Sequence, residues 1–389
     1  EGDNKKFAAS LKKCNAHERA GQGALFDTDT AVKVANTAFA SGLRRITTAP
    51  SDSLKDVHLQ SSAFRAWEED PAYLHARHVA DAWCAAFFWR KTPDAPPAIT
   101  EEVFRRLQDL EAAGATQATN DEIIHLADEY HFFHWHLEFP EVFYVPPAPD
   151  ENVDESVGWG GGFSCVLGNP PWEHLELKEQ EFFSAYAPHI AEAAGAKRKK
   201  LIEKLRTEDL VLYEAYETAK RQIDSMRHFA SNSGVFPLCG RGRIKTDPVF
   251  AEQGRKLMAP RGRMGVIVPT GIATDATTQF FFKDLVQHAS IAALYDFENA
   301  APLFPGVHRS FKFAILSLAG RSLREPAAKF AFFLHDPAEL DDAHKAFTLT
   351  PEEITLLNPN TGTCPVFRSR RDAEITLGIY RRVPVLVKE

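Results

Sequence analysis

The feature that most constrains this chain is a set of apolar runs that stop abruptly. Phe163–Leu167 (FSCVL) runs into Gly168-Asn169-Pro170-Pro171-Trp172. Met264–Val268 runs into Pro269-Thr270-Gly271, and Ile291–Phe297 into Glu298-Asn299. Proline offers no backbone N–H to a strand ladder, and Asn favours turns over strands. Each run therefore reads as a buried strand with a defined end. Thr277–Gln287 reads as a helix between two of them, and Phe311–Leu318 and Phe330–Leu334 as further strands. Strand, helix, strand, strand is the later half of a doubly wound α/β domain. Such sheets bind ligands beyond the carboxyl ends of their strands, which is where the stiff corner at 168–172 falls.

The rest of the chain reads as mainly helical. From Glu1 to about Thr48 it is charged and Ala-rich, with a loop expected at Gly21-Gln22-Gly23. Leu54–Lys91 reads as one helix, apolar nearly all round from Tyr73 to Trp89 and so expected to be buried. Lys91–Ile99 is a proline-rich break, followed by helices at about Thr100–Ala113 and Asn120–His131. Tyr144–Gly162 has the acidic, Pro- and Gly-rich composition of a mobile loop. Glu173–Arg227 is helical and highly charged, and Pro248–Met258 is a further helix, closed by Ala259–Arg263. There is no internal repeat.

The 389 residues are 44% hydrophobic and 25% charged, which is ordinary globular composition. No apolar run is long enough to span a bilayer, and the first residues lack the apolar core of a signal peptide. No two of the five cysteines (14, 84, 165, 239, 364) stand within four residues of each other. Without a CxxC pair, they read as the reduced thiols of a cytoplasmic protein. The net charge of −8 argues against a uniformly basic nucleic-acid binder but leaves room for local basic faces.

The Asn-Pro-Pro-Trp corner has a specific chemical use. An exocyclic amine on a planar base is a weak nucleophile, because its lone pair is delocalised into the ring. Two acceptors directed at the amino hydrogens would hold it in line for a methyl sulfonium and push it toward sp3 geometry. The Asn169 side-chain oxygen is one such acceptor, and a backbone carbonyl of the proline pair, that of Pro170, is the other. Trp172 offers a flat face for stacking the base. A base held this way has left its helix. The plain alternative is a strand-end turn with no chemistry.

Gly168-Asn169-Pro170-Pro171-Trp172 after a strand resembles the catalytic motif of the N6-adenine DNA methyltransferases. The surrounding text extends the resemblance over most of residues 60–385: FHWHLEFPEVF before the motif, then GRMGVIVPTGIATD (262–275), LYDFENAAPLFPGVHRSFKFAILSL (294–318) and LLNPNTGTCPVFRSRRDAEIT (356–376). It resembles the long methylases of type II restriction–modification fusions and of the DISARM phage-defence system, the latter more closely. The resemblance implies a Rossmann-like methyltransferase sheet, S-adenosylmethionine as cofactor, duplex DNA as substrate, and other defence subunits or fused domains as partners. It assigns catalysis to Asn169, Pro170, Pro171 and Trp172.

The chain departs from the family in one respect. The Gly-rich cofactor loop, of the form Asp-Pro-Ala-Cys-Gly-Ser-Gly, does not occur in it. Gly21-Gln22-Gly23 follows no apolar strand, and Gly160-Gly161-Gly162 precedes one. With no Met at its start, the sequence reads as an internal piece of a longer polypeptide, and no cofactor-binding residue is assigned. The expected organisation is a helical region over 1–145 and the later strands of a catalytic core over 146–335, the latter including a basic helical insertion at 173–260. Residues 336–389 then lead toward a target-recognition region.

Lys197, Arg198, Lys199 and Lys200 on a helix, and Arg241, Arg243 and Lys245 on a Gly-rich loop, are the candidate DNA-phosphate contacts. A solvated face is the plain reading of the helical run. Arg368, Arg370, Arg371, Arg381 and Arg382 are further candidates for a face toward DNA or an adjoining region. His125, His131, His134 and His136 crowd together among aromatic residues and read as packing, with no metal expected. Asp296, Glu298 and Asn299 read as turn-capping residues at the ligand edge, with a role near the pocket as the other reading, and Phe304 and Phe311 read as core, with the lining of a base pocket as theirs. Two other functions stay open: a methylase of RNA or of protein glutamine, and a DNA-binding scaffold that performs no chemistry.

Overall fold

The computed structural model describes residues 3–23, 34–109 and 114–383. The chain divides into two units, Glu1–Gly160 with Glu176–Phe229, and Gly161–Leu175 with Ala230–Glu389.

The first unit is mainly helical, with one short strand at Phe143–Tyr144. It holds α1 (Lys5–Gly23), α2 (Thr37–Thr47), α3 (Leu54–Glu68), α4 (Pro71–Phe88), α5 (Glu101–Gln108), α6 (Gln117–Tyr130) and the single turn α7 (Trp135–Glu138). α8 (Glu179–Tyr186), α9 (Pro188–Ala191), α10 (Gly195–Glu208) and most of α11 (Leu210–Asn232) complete it. The expected loop at Gly21-Gln22-Gly23 is instead the end of α1. The expected helix over Leu54–Lys91 is two helices. Asp70 caps the second by accepting from the Ala72 and Tyr73 amides, and Pro71 stands at a helix start where its missing N–H costs nothing. As expected, this second helix is the buried one: Ala82, Ala85 and Phe88 pack with Trp89, Ile123 and Leu126. The charged segment expected to be helical from Glu173 to Arg227 holds α8–α11, and residues 173–178 lie outside any helix.

The second unit is mixed α/β. Its six-stranded sheet consists of β1 (Phe163–Gly168), β2 (Met258–Pro269), β3 (Ile291–Glu298), β4 (Lys312–Ala319), β5 (Ala328–Leu334) and β6 (Phe347–Leu349), in the order β1-β2-β4-β3-β5-β6. β1 pairs parallel to β2 and β3 parallel to β5, while β4 runs antiparallel to both β2 and β3. β1, β2, β3 and β5 therefore all point one way. Their carboxyl ends, and the start of the reversed β4, share one edge of the sheet.

Strand positions were largely legible, with two corrections. β2 begins at Met258, so the stretch 259–263 expected to close a helix belongs to the strand. β6 was not expected from its three residues; it pairs antiparallel to β5, and Phe347 and Leu349 are buried in the core while Thr348 is exposed. Alternate residues of the strands, including Met264, Val266, Val268, Leu294, Leu316 and Phe330, bury one sheet face. That face packs on α12 (Thr246–Leu257) and α14 (Gln279–Gln287), which flank the short α13 (Gly271–Thr274) in sequence. β1 is an edge strand. Leu167 is 79% exposed, and the outer side of β1 has no strand partner among the described residues. α15 (Pro351–Leu357) and α16 (Arg370–Tyr380) close the unit.

Candidate active site

β1 ends where its sequence says it must. Pro170 and Pro171 contribute no N–H to a ladder, so the chain leaves the sheet after Gly168. The corner that follows is held by its carbonyls and its indole. The Thr246 hydroxyl lies 2.6 Å from the Pro171 carbonyl and accepts from the Glu173 amide at 3.0 Å. Backbone bonds from Thr246 N to Glu173 O (2.8 Å) and from Leu175 N to Ile244 O (3.0 Å) lace residues 173–175 onto 244–246. The Trp172 indole N–H donates to the Ile267 carbonyl on β2 at 3.3 Å.

Two acceptors are left over. The Asn169 side chain is exposed and has no hydrogen-bond partner among the described residues. Nor does the Pro170 carbonyl. Beside them, a methyl group built on Gly168 would meet nothing within 4 Å. The corner thus engages Pro171 and Trp172 in its own support and presents Asn169 and Pro170 outward.

The indole is only half available for stacking. Phe311 lies parallel to it, with ring centroids 5.6 Å apart and planes 11° from parallel. Trp172 also packs on the cluster formed by Phe297, Phe313, Ala331 and Leu334. Phe311 itself is 42% exposed, so this residue, read from sequence as core, forms part of the site's rim.

The neighbouring strand ends carry a second set of groups. Asp296, near the end of β3, is buried and accepts from the Thr270 hydroxyl and from the Phe333 amide (3.2 Å). Burial raises its carboxyl above the usual range, with the two hydrogen bonds and Lys312 pulling the other way. Asn299 is fully buried. It donates to the Phe304 and Val307 carbonyls and accepts from the Phe304 amide, shaping the turn that leads to Phe311. This is the turn-capping role read from its sequence position. Asp247, at the start of α12, is buried as well, and its Oδ1 has no partner. Burial pushes this carboxyl up to about 6, opposed by nearby Lys245.

The expected basic contacts belong to different units. Lys245 stands next to the Thr246 lacing and pairs with Asp275 at 3.3 Å. Arg241 is exposed, donates to the Pro237 carbonyl and lies over the Phe280 ring, and Arg243 is exposed on the same loop. Lys197, Arg198, Lys199 and Lys200 lie on α10, in the helical unit. Arg198 turns inward there, donating to the Ile190 and Ala191 carbonyls, while the three lysines are exposed. Of the crowded histidines, His134 pairs with buried Asp81 at 2.8 Å, and His131 ends α6 in a left-handed conformation. Among the described residues no three His, Cys, Asp or Glu side chains gather as a metal cage.

Sequence reasoning missed Thr246 and Asp247. Their only signal was local: Lys-Thr-Asp-Pro is a helix-start pattern that placed the helix two residues late.

No protein-family model matches the chain, and no curated protein matches it. No helix among the described residues is long and apolar enough to cross a membrane. Among solved structures, the chain is similar to the methyltransferase subunit of a type I restriction–modification system from Streptococcus thermophilus. That match has 16% identity and a TM-score of 0.28, and covers 34% of each chain. It is similar to a Listeria monocytogenes protein assigned to the class I S-adenosylmethionine-dependent methyltransferases, at 21% identity and a TM-score of 0.24 over 29% of this chain and 38% of that one. It is also similar to a Vibrio vulnificus protein assigned as the modification subunit of a type I restriction enzyme, at 11% identity and a TM-score of 0.25 over 88% of this chain and 61% of that one. All three likenesses are distant, and the chain spans about a third of the length of the first two.

Proposed function

We propose that this chain carries the amine-holding corner of an S-adenosylmethionine-dependent adenine-N6 DNA methyltransferase of a restriction–modification or phage-defence system. The observation that carries the reading is the division of labour at residues 169–172. Pro171 and Trp172 are bound into the unit, whereas the Asn169 side chain and the Pro170 carbonyl are left as acceptors beside open space. The resemblance of the surrounding sequence supports it.

In this reading the two acceptors take the two hydrogens of the adenine amine. They orient the nitrogen lone pair toward the donor methyl and favour the tetrahedral geometry of the product. No strong base is required, because the amine loses its proton readily once methylated. The adenine must be extruded from the duplex to reach the corner. Phe311 covers one face of Trp172, so the base meets the rim of this aromatic pair. Arg241 and Arg243 then serve as phosphate contacts, which position the duplex without reading its sequence.

S-adenosylmethionine, when bound, would supply the electrophilic methyl. The described residues do not by themselves fit it, since none of their strands runs into a glycine-rich turn and helix. No residue here is assigned to it.

The test is methyl transfer from labelled S-adenosylmethionine by the full polypeptide to duplex DNA, RNA and protein. DNA should be the acceptor, and Asn169→Ala should lower the rate by ~100-fold or more while duplex affinity stays within a few-fold. Methylation of RNA or protein alone, or undiminished activity in the variant, overturns the reading. DNA binding with no methylation would favour a scaffold.

A further inference from the structure

We infer that Thr246 is the positioning residue for the Asn169–Trp172 corner, a role that rests on the function proposed above. Its hydroxyl ties down the Pro171 carbonyl, so that of the two proline carbonyls only that of Pro170 is left to meet a substrate amine.

The corner is hard to hold by ordinary backbone bonding. Neither Pro170 nor Pro171 has an N–H, so the prolines can be gripped only through their carbonyls. Thr246 supplies that grip. Its hydroxyl carries one proton, and the Pro171 carbonyl at 2.6 Å is a closer acceptor than the Glu173 carbonyl at 3.2 Å. The hydroxyl oxygen in turn accepts the Glu173 amide at 3.0 Å. One side chain therefore binds both residues that flank Trp172.

The post from which Thr246 reaches is itself fixed. Thr246 is the first residue of α12, followed by buried Asp247 and Pro248. On the same helix, buried Glu252 accepts the amides of Leu238 and Cys239 at 3.2 and 2.8 Å, anchoring the loop that leads into Lys245. Lys245 is paired with Asp275, the residue that ends α13, the short helix after β2. The latch thus joins the corner after β1 to the segment after β2 through the start of α12. Placement matters here because a misplacement of about 1 Å at reacting atoms can cost about 100-fold in rate.

Valine matches threonine in shape and lacks the hydroxyl, whereas serine keeps it. In the full polypeptide, Thr246→Val should lower kcat for DNA methylation by about 10- to 100-fold, with KM and duplex affinity within about threefold of the parent. Thr246→Ser should restore kcat to within about threefold of the parent. Hydrogen exchange of the Glu173 amide gives a readout that needs no activity: faster in Thr246→Val, protected in Thr246→Ser. Parental kcat in Thr246→Val, failure of Thr246→Ser to restore it, or a loss confined to duplex affinity overturns the inference. If the parent polypeptide methylates no DNA, the proposed function falls first. Glu173 exchange then decides the latch alone, and unchanged exchange in Thr246→Val overturns it.

Discussion

The rings of Trp172 and Phe311 lie 5.6 Å apart, centroid to centroid, and within 11° of parallel. Phe311 is brought there by Asn299, whose amide N–H bonds the Phe311 carbonyl at 3.0 Å and whose side chain holds the intervening turn. A residue at the end of β3 thereby sets the partner of a residue just after β1.

Phe311→Ala should uncover one face of the indole at modest cost. Offset aromatic pairs contribute roughly 0.5–1.5 kcal/mol beyond area burial, and Phe311 is already partly exposed, so a loss of about 1 kcal/mol is expected. Urea unfolding measures the loss. In fluorotryptophan-labelled protein, the resonance that disappears in Trp172→Phe should be the one that Phe311→Ala shifts.

Asp296 joins two strand ends across β4. In the sheet it faces Ala314, whose small side chain lets the carboxylate reach the Thr270 hydroxyl, while its other oxygen takes the Phe333 amide. Asp296→Ala leaves both donors without their acceptor and should cost about 2–3 kcal/mol. Asp296→Asn keeps an acceptor and should cost less. Chemical denaturation of the two variants checks the order; equal losses would mean that the hydrogen bonds contribute little.

Asp247 should make stability depend on pH in a definite direction. Its folded-state carboxyl sits at about 6, above the ordinary 3.8, so the folded chain binds a proton that the unfolded chain releases. The stabilisation from that proton is fully present below about pH 4 and is lost as pH rises through about 6. Asp247→Asn, which carries no charge, should therefore melt higher than the parent near pH 8, and the difference should vanish near pH 4. Thermal melts of both proteins at the two pH values give the comparison. A difference independent of pH would contradict the shifted carboxyl.

Two glycines should respond oppositely to alanine. At Gly240 an added Cβ would lie 2.1 Å from the Ala230 carbonyl oxygen and 2.6 Å from that of Phe236. Backbone has to move to make room, and Gly240→Ala should cost roughly 1–3 kcal/mol and disturb the loop bearing Arg241 and Arg243. Gly168→Ala meets only open space and should stay within ~0.5 kcal/mol of the parent. A large loss at Gly168 would mean that the end of β1 is packed rather than open.

What was legible in the sequence followed from rules that act along the chain. A proline withholds an N–H from the strand ladder, so the corner at Asn169-Pro170-Pro171 and the turn at Pro269 were readable residue by residue, whereas Pro260 lies within β2 and does not end it. The helix start at about Thr100, which proves to be its cap, was readable from local sequence too. Pro71 marks a helix start through the same missing N–H, so the break between α3 and α4 also has a local signal. Contacts between distant segments were not readable. Thr246 meets the Pro171 carbonyl from 75 residues away, and nothing in either stretch names the other. The same holds for Phe311 on Trp172, and for the basic run at Lys197–Lys200, which lies in the helical unit. Local backbone chemistry decides where an element stops. Which donor reaches a given carbonyl depends on how the sheet brings strand ends to one edge, and only the tertiary structure holds that information.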